Sequence, residues 1–181
     1  FLRSKPRGHP IVRPSRKATA PGKDCIMRNA TGIIVLAAGS STRMGVPKQL
    51  MDFHGKPMLR HAVDVALAAG CGPVLVVLGA REQELRLAIA DLDVEVAVNE
   101  RWADGMGTSI QTGLTALANA SVGGVILALA DQPLVTPEFL RYLVIRHYET
   151  GKPIVASLYS GTVGVPAFFA RNAFPLLQAL A

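Results

Sequence analysis

Short, continuous apolar runs alternate along this chain with segments whose apolar residues recur at helical spacing. The apolar runs cover residues 32–38, 74–78, 94–98 and 124–129, and the helical spacing covers 57–69, 82–91, 107–118 and 137–149. Strands that alternate with helices are typical of parallel strands joined by right-handed crossovers. Within each run apolar residues follow one another and do not alternate with polar ones, so both faces of the sheet must be covered. The pattern therefore predicts an α/β fold with three layers, in which a mostly parallel sheet lies between helices.

The positive charge of the chain lies in its first 26 residues. Seven of the 19 Lys and Arg residues are there with one acid, Asp24, whereas residues 27–181 carry both signs in equal number. With four prolines and few large apolar residues, 1–26 is expected to be a disordered basic tail, and 27–181 one folded domain. We expect Met27 to be the functional start. A transit peptide and non-specific anion binding are alternatives for the tail, but a neutral folded body argues against nucleic acid as a partner.

Cysteine usage and hydropathy exclude several classes of protein. The only cysteines are Cys25 and Cys71, and they offer neither metal-ligand spacing nor an expected disulfide. The apolar stretch 65–80 is interrupted by glycines and a proline and is too short to cross a bilayer. We therefore expect a cytoplasmic protein without a membrane partner.

A loop of small residues follows the first apolar run. It consists of Leu36, Ala37, Ala38, Gly39 and Ser40, and two cations come soon after it, Arg43 and Lys48. Small residues let backbone N–H groups approach a polyanion, and cations neutralise its charge. The spacing excludes a Walker A loop, since five residues separate Gly39 from Gly45, and G-x-G-x-x-G is absent. The loop predicts a nucleoside triphosphate site, the alternative being an ordinary glycine-rich turn.

A carboxylate follows the fourth apolar run. Asp131 comes just after residues 124–129, and Thr136-Pro137 already supplies the cap of the next helix. Ligands of parallel sheets bind outside the carboxyl ends of the strands, so Asp131 is expected to face the loop after the first run. Magnesium prefers oxygen ligands and often takes the others from substrate phosphates. Asp131 is thus a predicted magnesium ligand, with an incidental surface carboxylate as the alternative.

Two further segments are candidates for substrate contacts. In the first, Trp102 precedes a Gly-Met-Gly-Thr-Ser segment that places Ser109 near a helix N-terminus, which suits ribose or phosphate. Trp102 is equally well read as a loop residue packed on the core. The second runs from Tyr159 to Phe169 and includes Gly164 and a Gly-Val-Pro sequence. We interpret it as a tight loop between short strands. Its role is either to form a wall for a second substrate or to be a plain hairpin-like connection.

Taken in order, these four segments resemble the molybdenum cofactor nucleotidyltransferases, in particular the cytidylyltransferase branch. The shared pattern is Leu-Ala-Ala-Gly…Arg-Met-Gly…Lys, then Trp…Gly-Met…Ser, then Asp-Gln-Pro, then Tyr-x-Gly-x-x-Gly-Val-Pro, and it extends over 32–169. The resemblance implies a Rossmann-like fold of the nucleotide-diphospho-sugar transferase type. It also implies magnesium-dependent transfer of CMP from CTP to a molybdopterin-type acceptor, with release of pyrophosphate and a molybdoenzyme as a recipient.

The resemblance also assigns residues. Residues 36–40 would hold the triphosphate together with Ser109, Arg43 and Lys48 would contact phosphate oxygens as catalytic cations, Asp131 would bind magnesium, and Gly164 would contribute to the substrate site. Ala38 stands where guanylyl-transferring relatives usually have glycine, which implies CTP. The Gly-Asp-x-Gly-Ala-Arg segment that usually follows the last helix is missing before Ala181, so we expect a C-terminal truncation.

Two other functions fit the same residues. The Pro-Lys-Gln sequence at 47–49 is also similar to that of the cytidylyltransferases of isoprenoid synthesis, whose acceptor is methylerythritol phosphate. A protein of another class, which binds or delivers a nucleotide or molybdenum cofactor without catalysis, is the second alternative. Release of pyrophosphate separates the enzymes from the carrier.

Overall fold

The computed structural model describes residues 30–40, 47–159 and 161–180. The predicted tail, the start at Met27 and the predicted phosphate contact Arg43 lie outside these ranges. The four expected strands and four expected helices fall within these ranges, so their positions can be compared with the expectation from the sequence.

The apolar runs form four strands of a six-stranded sheet. They are β1 (Ala30–Leu36), β4 (Val74–Leu78), β5 (Glu95–Val98) and β6 (Val122–Leu129), and the chain adds β7 (Ile154–Tyr159) and β8 (Thr162–Ala170). The order is β5-β4-β1-β6-β8-β7, with parallel pairing from β5 to β6 and antiparallel pairing of β8 with both of its neighbours. The mostly parallel sheet is therefore confirmed, and β8 is the strand that runs against the others.

Helices cover both faces of this sheet. They are α1 (Met58–Ala69), α2 (Glu82–Leu87), α3 (Met106–Ala116), α4 (Pro137–Thr150) and α5 (Phe174–Gln178). Successive side chains of β1 enter different cores: Ile33 packs in a cluster with α1, α2 and α4, whereas Ile34 packs in a second cluster with α3 and α5. Both side chains are fully buried. This arrangement confirms the three-layer fold, and it explains why β1 is continuously apolar.

The ends of the helices follow the local sequence. Helix α1 ends at Gly70, which adopts a left-handed conformation with φ of 62°. Helix α4 begins after Thr136, whose Oγ1 accepts a hydrogen bond from the backbone N–H of Phe139 at 3.2 Å. Thr136 is thus the N-cap, as expected, and Asp131 is not needed for that task.

The segment from Tyr159 to Phe169 is not the tight loop that we expected. Most of it is strand β8, which forms a hairpin with β7 in which Tyr159 pairs with Thr162. The register shifts between Ala156 and Ser157, so that the strand bulges at residues 165–166, and Ser157 Oγ donates a hydrogen bond to the carbonyl of Pro166. A proline is tolerated in a strand at such a bulge, which is why its presence does not indicate a loop here.

A second hairpin was not predicted from the sequence. It joins β2 (Asp52–Phe53) to β3 (Lys56–Pro57) through His54 and Gly55, both of which have positive φ values, 54° and 81°. The two-residue strands are too short to show a periodicity. A His-Gly pair between two short segments was the available signal for such a turn. Among the helices of the described ranges, none is long and apolar enough to cross a membrane.

We predict that Thr136→Ala lowers the free energy of unfolding by about 1 kcal/mol, because the N-cap hydrogen bond is lost. Urea denaturation measures the change. Thr115→Ala is the control: the Thr115 hydroxyl is exposed and donates to Gln111 O inside α3. A loss in Thr136→Ala no larger than that in the control would contradict the assigned cap.

Candidate functional site

A cleft of about 450 Å³ opens at the carboxyl ends of β1 and β6. Its walls are residues 36–40, Lys48 and Gln49, the segment around Trp102 with the start of α3, and residues 129–131. The pairing of β1 with β6 places Leu36 beside Leu129, and the N–H of Ala130 donates to the carbonyl of Leu36 at 3.2 Å. The first loop and Asp131 are therefore brought to the same cleft by strand register.

The backbone of the first loop continues the sheet for two residues and then leaves it. The Ala37 N–H donates to Val77 O at 2.9 Å, and Ala38 O accepts from Ala80 N–H at 3.0 Å. Within the described ranges, the N–H groups of Gly39 and Ser40 have no hydrogen-bond partner. Two successive N–H groups of this kind, at the end of a strand, are typical donors to a bound anion, and binding by this loop stays a prediction.

The side chain of Gln49 holds this loop by hydrogen bonds to its backbone. Its side chain is only 6% exposed, and its Nε2 donates to Gly39 O at 2.9 Å and approaches Ala37 O at 3.5 Å. Lys48, one residue earlier, is exposed and lines the cleft. We assigned no role to Gln49 from the sequence, although its position next to a predicted phosphate contact was the available signal.

The start of α3 forms the opposite wall. Gly105, at its N-cap, has φ of 119°, which disfavours any residue with a side chain. Ser109, the fourth residue of the helix, lines the cleft, and its Oγ accepts a hydrogen bond from Nδ2 of the buried Asn99 at 2.9 Å. Trp102 does both tasks that we considered: it packs on the core beside α3 and it also lines the cleft.

Asp131 is exposed and lines the cleft on the β6 side. Within the described ranges, no group of three or more His, Cys, Asp or Glu side chains could hold a metal ion. A protein-built metal cage therefore does not fit this cleft. A single carboxylate does fit magnesium that arrives with a nucleotide, because phosphates and waters then supply the remaining ligands.

Gly164 is the described candidate that lies apart from the cleft. It belongs to β8, and a Cβ at this position would lie 2.7 Å from the hydroxyl of Tyr159. A side chain at this position would displace the exposed Tyr159 ring. The remaining eight described candidates line the cleft, and Arg43 lies outside the described residues.

A larger groove of about 880 Å³ lies behind the loop that carries Asp131. It is formed by the loop 132–136, helix α4 and the β7–β8 hairpin, and its walls are mostly apolar and aromatic, with Tyr142 and Tyr159 exposed. Gln132 connects the two sides of the groove, because its Nε2 donates to Val165 O at 2.8 Å. Asp131 and Gln132 are adjacent in sequence, so the cleft and the groove share one loop.

Comparison with known proteins agrees with this geometry. Residues 33–181 match the family described as MobA-like NTP transferase domain. The crystal structure of Rv0371c from Mycobacterium tuberculosis H37Rv superposes with a TM-score of 0.72 at 33% identity, over 84% of this chain and 77% of that one. Another structure of Rv0371c is a complex with manganese, with a TM-score of 0.69 and 30% identity.

Curated relatives are longer than the matched region. Nicotine blue oxidoreductase of Paenarthrobacter nicotinovorans is 34% identical over 119 residues, which cover 65% of this chain and 56% of that protein. The bifunctional protein GlmU of Rhodococcus opacus is 31% identical over 149 residues, 78% of this chain and 30% of that protein. The chain thus spans little more than half of the first relative and under a third of the second.

Two glycine substitutions should separate the contribution of the cleft residues to stability from their contribution to nucleotide binding. A Cβ at Gly79 would lie 2.6 Å from Trp102 Cβ and 2.9 Å from Ala38 Cβ, whereas a Cβ at Gly39 meets nothing within 4 Å. Gly79→Ala should therefore lower the free energy of unfolding by about 1–3 kcal/mol through overpacking. Gly39→Ala should leave it within about 0.5 kcal/mol, yet weaken binding of a nucleoside triphosphate by crowding the loop.

Urea denaturation and calorimetric titration with CTP and Mg²⁺ measure the two effects. Equal stability of the two variants would contradict the packing at Gly79. Unchanged CTP affinity in Gly39→Ala would remove the loop from the binding site.

Proposed function

We propose, on the premise that this chain belongs to the family of MobA-like NTP transferase domains, that it transfers the nucleotidyl group of CTP to a phosphorylated acceptor and releases pyrophosphate. The observation that carries the proposal is that one cleft is lined by a cation, a hydroxyl, a carboxylate and two residues, Gly39 and Ser40, whose N–H groups have no partner among the residues that the structure describes. That set suits the phosphates of a nucleotide and the metal ion that accompanies them.

The chemistry requires positioning and charge neutralisation more than a strong base. A phosphate oxygen of the acceptor attacks the α-phosphorus of the nucleotide, and the bond from that phosphorus to the bridging oxygen of the β-phosphate breaks. The attacking phosphate is already ionised, so no proton has to be removed from it. Pre-organised donors then offset charge where it develops on the leaving pyrophosphate. We assign that task to Lys48, to the N–H groups of Gly39 and Ser40, and to Arg43.

Magnesium is proposed as the ion, with Asp131 as its protein ligand. When bound, the ion neutralises phosphate oxygens and polarises the phosphorus that is attacked. The isolated carboxylate of Asp131 fits an ion that shares its other ligands with phosphates and water. The manganese complex of Rv0371c supports a divalent cation in this family.

The choice of CTP follows the resemblance noted at Ala38. That residue is 5% exposed, its methyl group lies 2.9 Å from the position that a Cβ on Gly79 would take, and it belongs to the same core cluster as Trp102. Because the methyl group is packed rather than free in the cleft, we expect only modest discrimination against purines.

We propose a molybdopterin-type acceptor, and the groove beside Gln132 as its position. The groove is apolar and aromatic, which suits a planar ring system, and it adjoins the loop that carries Asp131. Methylerythritol phosphate is the alternative acceptor. Delivery of the product to a molybdoenzyme is part of the same proposal.

Pyrophosphate release tests the function. CTP, GTP, ATP and UTP are each incubated with Mg²⁺ and either molybdopterin or methylerythritol phosphate. We expect release with CTP and molybdopterin above all other pairs. Binding of a nucleotide without release under any pair would favour the non-catalytic carrier.

We expect Asp131→Asn to lower turnover by roughly a hundredfold or more, since a charge that stabilises the transition state is lost. Asp93→Asn is the matched control. Asp93 is exposed and precedes β5, so it lies at the amino edge of the sheet, away from the cleft. Calorimetry of nucleotide binding with Mn²⁺ or with EDTA supplies a second readout. If Asp131→Asn retained both its turnover and its Mn²⁺-dependent affinity, Asp131 would not bind the metal.

A further inference from the structure

Asn99 lies behind the cleft and is nearly inaccessible. It follows β5 directly, it is 3% exposed, and it is not part of the cleft wall. Its backbone N–H donates to Leu78 O at 2.7 Å, which continues the pairing of β5 with β4 by one residue. The side chain is therefore presented from a fixed point at the edge of the sheet.

The Asn99 amide uses its full set of donors. Its Nδ2 donates to Thr108 Oγ1 at 2.8 Å and to Ser109 Oγ at 2.9 Å, and its Oδ1 accepts from the backbone N–H of Arg101 at 3.0 Å. The orientation of the amide is determined by this last contact, because a backbone N–H requires an oxygen opposite it. Asn99 thus donates to both hydroxyls.

The two hydroxyls differ in where their own protons go. Thr108 Oγ1 has two carbonyl acceptors inside the protein, Arg101 O and Gly105 O, each at 2.9 Å. Ser109 Oγ has the Asn99 contact and no acceptor for its proton among the residues that the structure describes. Ser109 lines the cleft although it is only 4% exposed, so a ligand in the cleft is the acceptor left for its hydroxyl proton.

We propose that Asn99 is a positioning residue that makes Ser109 a hydrogen-bond donor to a phosphate oxygen of the bound nucleotide. Because Asn99 Nδ2 donates to Ser109 Oγ, the hydroxyl oxygen already accepts a hydrogen bond within the protein. Its O–H remains to donate to the ligand. Phosphate oxygens are acceptors at neutral pH, so a hydroxyl held as a donor matches them. The inference rests on the proposed function, because it requires a nucleotide in the cleft.

The alternative is that Asn99 only stabilises the loop between β5 and α3. The two roles differ in one respect. A positioning role depends on the Ser109 hydroxyl and disappears when that hydroxyl is removed, whereas a stabilising role does not.

The test is a double-mutant cycle on nucleotide affinity, measured by calorimetry with CTP and Mg²⁺. The variants are Asn99→Asp, Ser109→Ala and their combination. Asn99→Asp keeps the shape and the acceptor for Arg101 N–H, but it turns both hydroxyls into donors toward the carboxylate. We expect Ser109→Ala to weaken binding by roughly tenfold, and Asn99→Asp to do so by at least as much.

The combined variant separates donor loss from the added charge. Any repulsion between the new carboxylate and the nucleotide is also present when Ser109 is replaced by Ala. The loss of CTP affinity caused by Asn99→Asp should therefore be smaller in that background, and the difference between the two losses measures the effect of the Ser109 donor. We expect this difference to be roughly fivefold or more. Thr108→Val is the matched control, because it removes the other hydroxyl partner of Asn99, which does not line the cleft. It should lower the melting temperature and change the CTP affinity less than twofold.

Asn99→Leu, an uncharged variant, replaces Asn99→Asp in the cycle if the latter does not fold. If the Asn99 substitution lowered the CTP affinity equally with and without the Ser109 hydroxyl, the inference would be overturned and the proposed function would be left intact. Failure of the unsubstituted chain to bind any of the four ribonucleoside triphosphates would overturn the proposed function, and the inference with it.

Discussion

The parallel pairing of β1 with β4 on one side and β6 on the other is the constraint on which the site depends. Each of these strands is buried on both faces, so its register is determined by side chains that enter two different cores. A shift of one residue would exchange Ile33 and Ile34 between those cores. Because the register is held in this way, the loop after β1 and the carboxylate after β6 emerge side by side, and no contact between them is needed.

Buried amide side chains then set the details of the cleft. Gln49 donates to the carbonyl of Gly39, and Asn99 donates to the hydroxyls at the start of α3. Neither side chain is exposed, so each acts by holding a group of the cleft wall: Gln49 holds the exposed Gly39, and Asn99 holds Ser109, which lines the cleft although it is only 4% exposed. A buried amide that makes hydrogen bonds is costly to move, since leaving a polar group unpaired in the interior costs about 1–3 kcal/mol. These hydrogen bonds therefore hold the two walls of the cleft in place.

The β7–β8 hairpin gives the sheet a second, less polar surface. Its bulge at residues 165–166 brings the carbonyl of Val165 to Gln132, the residue after Asp131. A ligand in the groove and a ligand in the cleft would therefore contact the same loop. That proximity is what a transfer between two bound molecules requires.

The sequence by itself determined the fold class, the succession of strands and helices along the chain, and the loops expected at the carboxyl edge of the sheet. Continuous apolar strands that alternate with helices have few other solutions, and ligands of such sheets bind at the carboxyl ends. For that reason Lys48, Ser109 and Asp131 could be selected before their surroundings were known.

Only the tertiary structure decided the rest. The hairpin direction of β7 and β8, the separation of Gly164 from the cleft and the roles of Gln49 and Asn99 depend on contacts between residues distant in sequence. Gly164, for instance, lies in β8 beside the hydroxyl of Tyr159 and does not line the cleft. The sequence does not distinguish a buried Asn or Gln from an exposed one. The hydrogen-bond partners of such an amide are known only from the folded structure. Local patterns report the periodicity of burial, whereas hydrogen bonds of this kind follow from packing.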